Sequence, residues 1–159
     1  MNQFLSILDK QFSNLHARLV ALVRAMPADK LYLQPHAPTI GAPPVYSCGE
    51  HIIRSAAVVE QTFGGITANL WDDPFEWTLP ECLAAPERML EYLSEVEATR
   101  QRGFSLLKSD DDLRREIAMP SGEMLTLFAL LTETLVRAAQ HQGRADAISR
   151  LSLDARLPE

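Results

Sequence analysis

Two histidines, His51 and His141, carry the chemistry that this chain could do. Imidazole is the side chain that holds a metal ion or moves a proton near neutral pH. His51 follows Ser47-Cys48-Gly49-Glu50. Ser and Glu three residues apart read as a capping box, so His51 falls in the first turn of a helix. One, two and three turns further along its face lie Ser55, Val58 and Thr62, small or polar side chains. His141 lies in ETLVRAAQHQGRADAISRL, residues 133–151, on a face with Leu127, Leu131, Thr134, Ala138, Ala145 and Ile148. That face is mostly apolar, and the small residues beside the imidazole leave room for a cavity. Glu133, Arg137 and His141 form an i, i+4, i+8 row on the same helix. Two readings stand. In one, His51 and His141 meet as a shared site. In the other, each is a hydrogen-bonded core residue, and Glu133 and Arg137 are a helix pair worth a few tenths of a kcal/mol. His16, on the first helix, and His36, in a proline-rich loop, have no partner at useful spacing.

The elements that position these residues are helices. Leu5, Leu8, Phe12, Leu15, Leu19, Leu22 and Met26 recur in alternating steps of three and four, one face of a helix over 2–26 that stops before Pro27. Residues 27–46 hold five prolines and one glycine, which reads as a long irregular connection. A second helix covers 47–65, with Ile52, Ala56, Val59 and Phe63 inward. Residues 66–85 read as a loop in which Trp71 and Trp77 close over the core. Pro86 opens a third helix, 86–108. Ser121 is placed to cap the last, 121–151. There is almost no strand signal, and four amphipathic helices of similar length pack most simply as a four-helix bundle.

Composition narrows the class. The chain has 159 residues, so one domain, 1–159, is expected. With 15 basic and 21 acidic residues the net charge is −6, and the basic residues are scattered. A nucleic-acid binder needs a basic stripe, so no nucleic-acid partner is expected. No window of 18 apolar residues and no leader pattern are present, so a cytoplasmic protein without a membrane partner is expected. Cys48 and Cys82 lack the spacing of a zinc ribbon or a redox pair and read as buried small apolar side chains.

A helix, a proline-rich loop, YSCGEHII opening the second helix, a third helix, and HQGR in the fourth: this layout resembles the DinB/YfiT-like superfamily over nearly the whole chain. The resemblance implies an all-α, up-down-down-up four-helix bundle, commonly a homodimer. It also implies three histidines around a divalent metal, nickel or zinc, and relatives that are thiol-dependent transferases or metal-dependent hydrolases. Tyr46-Ser47 stands for the usual Trp-Ser, and His141-Gln142-Gly143-Arg144 for H-R-G-Q. His141 therefore matches the last ligand. Arg137 stands where the second histidine belongs, and a guanidinium offers no lone pair to a metal. The first ligand has two registers. Strict counting falls on Arg54, which on the helical wheel points away from the apolar stripe and reads as a surface residue. His51, one turn earlier, lies at the edge of the inner face and is favoured. Gly143 is a family feature, and the expectation is that it lets a neighbouring helix or the long loop approach.

A catalytic zinc needs three protein ligands. His51 and His141 supply two, and Glu133 is about 12 Å from His141 along the helix axis. No tightly bound cofactor is expected, and His51 and His141 are the ligands if a nickel or zinc ion binds. The expected function is a DinB-like protein with a degenerate metal site. In the enzymatic form, Arg137 binds a small anionic molecule in place of the metal, and His141 is the general acid or base. The alternative is a non-catalytic dimeric binding protein that has lost the metal.

Overall fold

In the computed structural model the described residues are 2–37, 39–73 and 81–154. Four helices carry the fold: α1 (Gln3–Ala25), α2 (Cys48–Ala68), α3 (Pro86–Ser105) and α4 (Leu127–Asp154). Between α3 and α4 lie a short 3-10 turn, Asp110–Arg114, and an antiparallel hairpin of β1 (Glu116–Ala118) and β2 (Met124–Thr126). The chain is thus mostly helical, as the hydrophobic periodicity predicts. No described helix is long and apolar enough to cross a membrane.

The alternating stripe of α1 is buried as the spacing requires: Leu5, Leu8, Phe12, Leu15, Leu19 and Leu22 all face the core. α1 packs on α3 and α4, and α2 packs on α3 and α4. Side-chain pairs give the directions. Asn2 meets Lys108 just past the end of α3, Asp9 meets Arg100, and His16 lies beside Glu97, so α1 and α3 run antiparallel. Cys48 meets Ala145, Ser55 meets Ala138 and Thr62 meets Thr134, so α2 and α4 run antiparallel. The aromatic centre is Phe12, Phe63 and Phe104, with Phe12 and Phe63 edge-to-face at 5.4 Å. Phe63 reaches this place because Gly103 offers no side chain: a Cβ there would lie 2.4 Å from the Phe63 ring.

Among the described residues Arg100 is the one buried Arg or Lys, 4 % exposed. Its Nε and Nη2 donate to the two carboxylate oxygens of Glu97, at 2.8 and 2.7 Å, and Nη1 reaches Asp9 on α1. A buried guanidinium needs this much pairing, since an uncompensated buried charge is strongly destabilising. His16 lies beside the same cluster, away from His51.

Three expectations fail locally. Ser121 does not cap the last helix. It sits in the turn of the β1–β2 hairpin, and α4 begins at Leu127, where Thr126 Oγ1 accepts from the Ala129 N–H. The hairpin leaves little trace in the sequence, because its strands are three residues long and alternate only weakly. Gly143 is exposed, and a Cβ on it would meet nothing within 4 Å. The glycines that permit close approach are Gly49, Gly65 and Gly103. Of the two cysteines, Cys48 is buried and Cys82 is exposed. Trp71 does close over the core, with its ring against Gly65, while Trp77 lies outside the described residues.

Candidate functional site: a histidine pair among arginines

The site is built by the start of α2. Ser47 Oγ accepts from the Glu50 N–H at 3.2 Å, and Glu50 Oε2 accepts from the Ser47 N–H at 2.7 Å. This reciprocal cap fixes the first turn, which carries His51. The long loop helps: the Gly49 N–H donates to the Leu31 carbonyl at 2.7 Å, so near that a Cβ at Gly49 would strike Leu31 and Tyr32. Two hydrogen bonds then clamp α2 to α4 on either side of His51. Cys48 Sγ donates to the Ala145 carbonyl at 3.4 Å, and Ser55 Oγ donates to the Ala138 carbonyl at 2.8 Å. Ala138 and Ala145 are fully buried, so the small residues near His141 bring the helices together instead of leaving a cavity. Two clefts among the described residues lie elsewhere, and His51 and His141 line neither.

The clamp brings the two imidazoles into contact. His51 Nδ1 and His141 Nδ1 are 3.1 Å apart, with ring centroids 5.4 Å apart. One ring nitrogen must donate and the other accept, so the neutral pair shares one proton. His51 is 5 % exposed and His141 is half-buried. Tyr46 stands edge-on to His51, with centroids at 5.5 Å, and the Arg54 guanidinium lies over the Tyr46 ring at 3.9 Å. Arg54 is thus half-buried and beside the pair, not the surface residue that the helical wheel suggests. It lies three positions after His51, which puts it on the same flank. Arg144 lies three positions after His141. Neither arginine needed more than that spacing to be found.

The surroundings of the pair are cationic. Burial pushes the His51 imidazole down to about 4, and His141, Arg144 and Arg54 push the same way, against a smaller opposing pull from Glu50. Burial also lowers His141, followed by Arg144, Arg54 and, least, Arg137. Arg137 is exposed, and no ion pair joins it to Glu133 among the described residues. His36 is exposed in the loop, turned to the Ala37 carbonyl. Nothing in sequence spacing could show that His51 and His141 touch, because the register of α2 on α4 is a tertiary property.

The donor set decides between ligands. No third His, Cys, Asp or Glu joins His51 and His141 among the described residues. Cys48 is committed to Ala145, and Glu50 to the helix cap. Two imidazole nitrogens without a third donor, beside arginines that lower both rings, do not fit a resident divalent metal. The same arrangement suits an anion, whose oxygens accept from guanidinium groups and from the N–H of a neutral imidazole.

No protein-family model matches the chain, and no curated protein matches it significantly.

Proposed function

We propose that this chain is a DinB-like protein whose former metal site is now a receptor for a small anionic molecule, a carboxylate or a phosphate ester. What supports the up-down-down-up bundle is the set of helix pairings: α1 antiparallel to α3, α2 antiparallel to α4, and α2 parallel to α3, where Glu60 meets Tyr92 and Phe63 meets Phe104. The observation that carries the anion reading is the placement of Arg54 and Arg144 beside both imidazoles, with Arg137 beside His141. In this reading the arginines hold the anion and His141, the more exposed imidazole, transfers a proton to or from it. His51 sets the tautomer of His141 through the Nδ1 contact. The homodimer and the cytoplasmic setting belong to the same proposal.

A second reading is favoured by the closure of the pair: His51 is 5 % exposed. In it the pair is a core hydrogen bond of a non-catalytic, partner-binding bundle.

Side-chain ¹H–¹⁵N spectra of the histidines separate these readings. Titration with succinate or inorganic phosphate should move the His141 signals, and Arg54→Met should weaken the effect about tenfold, the loss of one charge-assisted contact. Silence of both histidines to every anion would favour the non-catalytic reading. One equivalent of Ni²⁺ or Zn²⁺ held through desalting by wild type, and lost in His141→Ala, would overturn the anion reading.

A further inference from the structure

A recess lies away from the histidine pair, between the C-terminal halves of α2 and α3. Its volume is roughly 860 Å³, within the range of small-molecule sites. Nothing in the histidine reading uses it. Ala68, Leu70 and Leu106 give it an apolar wall, and Glu60, Thr67 and Thr99 give it polar groups. We propose that this recess binds an organic cation, a primary or substituted ammonium on a hydrocarbon body, with the Glu60 carboxylate as its anchor.

Three independent features point to a cation. Glu60 is half-buried, and the Tyr92 hydroxyl donates to its Oε2 at 2.7 Å, which fixes the carboxylate in place. The residue lines the recess, and an ionised carboxylate has about four lone-pair sites, more than the Tyr92 hydroxyl uses. Burial, and then the charge of Glu95, hold the carboxyl above its ordinary value despite the Tyr92 hydrogen bond. The carboxylate is therefore poorly solvated, and a cation placed beside it recovers that loss.

The second feature is the helix ends. α2 ends at Ala68 and α3 at Ser105, and both residues line the recess. Each helix C-terminus carries about half a negative charge, and here two of them sit side by side. The third is the side-chain balance. Among the described residues Glu60 and Asp72 line the recess with one cation, Arg102, whose residue is exposed and whose guanidinium is turned along its own helix to Thr99 Oγ1 at 3.2 Å. An anionic ligand would meet two carboxylates and two helix C-termini. A fully neutral one would leave the Glu60 carboxylate without a partner charge.

The apolar wall sets the rest of the ligand. Leu70 and Leu106 are exposed, at 60 % and 55 %. A short hydrocarbon body lying against them would cover apolar surface that water now contacts. The segment that follows α2 is fixed close by: Asn69 takes the left-handed conformation with φ 54°, and Gln61 Nε2 donates to the Trp71 carbonyl at 3.0 Å. That shapes one side of the recess before any ligand arrives.

The test is a backbone ¹H–¹⁵N titration of the full chain with three probes of equal length: n-hexylammonium, hexan-1-ol and hexanoate. Hexylammonium should shift the amides of Glu60, Thr67, Thr99 and Leu106 in a saturable way at millimolar concentration, with hexanol much weaker and hexanoate silent. Glu60→Gln keeps a partner for the Tyr92 hydroxyl and removes the charge, and it should weaken hexylammonium about tenfold or more. Thr99→Lys adds a cation at the mouth without touching Tyr92, and should do the same. His141→Ala should leave the binding unchanged. Equal shifts from hexanol and hexylammonium, an unchanged affinity in both folded variants, or no saturable shift in this region would overturn the proposal.

Discussion

The histidine pair makes the stability of this protein depend on pH in a definite direction. His51 is held down to about 4 in the folded chain, first by burial and then by His141, Arg144 and Arg54. In the unfolded chain it returns to about 6.5. A lowered histidine value means that the folded state binds fewer protons than the unfolded state between these two values. Stability is therefore complete above about pH 7, and it falls as pH drops through 6.5 toward 4. The gap of about 2.5 units corresponds to at most about 3 kcal/mol for His51 alone, at about 1.4 kcal/mol per unit. At about pH 5 the unfolded imidazole is almost fully charged and the folded one almost neutral, so the loss is about 2 kcal/mol. His141 is lowered too and adds in the same direction. Urea unfolding followed by circular dichroism at about pH 8 and about pH 5 measures this. The control is His51→Gln/His141→Gln, in which each amide can still donate and accept but cannot titrate. Asp110, Asp112 and Glu97 are carboxyls held low in the fold, and their contribution is lost only at more acid pH. They are present in both proteins and cancel in the difference. Wild type should lose at least about 2 kcal/mol more than the double variant over this interval. Equal losses, or a His51 ring signal that titrates near the ordinary histidine value, would refute the reasoning.

Other consequences are simpler to read. Arg100→Met removes the cation that holds Glu97 and Asp9. Burial alone would raise the Glu97 carboxyl, and the Arg100 hydrogen bonds and charge overcome it, so the variant leaves a half-buried carboxylate unpaired. It should cost about 3 kcal/mol in chemical denaturation, and a loss under about 0.5 kcal/mol would show the cluster to be solvent-compensated. Gly103→Ala drives a Cβ into the Phe63 ring and should cost about 1–3 kcal/mol. Gly143→Ala meets open space in an exposed helical position and should raise stability by up to about 1 kcal/mol. Thermal midpoints of these two glycine variants should therefore move in opposite directions.

The local elements were written in the sequence because helix signals are local. The three-four steps from Leu5 to Met26 gave the buried face of α1, and Ser47 with Glu50 placed the start of α2 to within a residue. Pro86 opened α3 where its fixed backbone angle suits a first turn. The candidate site was half legible. His51 and His141 could be picked out by residue type and helix face, but Arg54 was read as a surface residue from a wheel that assumed only one buried stripe. In the fold nearly every residue from Cys48 to Val59 is buried, since α2 is covered by both α3 and α4, and the stripe loses its meaning. Gly143 was misread for the converse reason: its place in a motif suggested contact, whereas Ala138 and Ala145 make the approach that brings α4 onto α2. The buried Arg100 lies at inward spacing with Val96 and Phe104, but a charge on a core face becomes credible only when Asp9 arrives from another helix. What tertiary structure decided was register. Sliding α2 against α4 by one turn would keep every hydrophobic pattern and part the two imidazoles by about 5.4 Å. The bonds from Cys48 and Ser55 to the carbonyls of Ala145 and Ala138 hold that register, and no single-helix pattern records them.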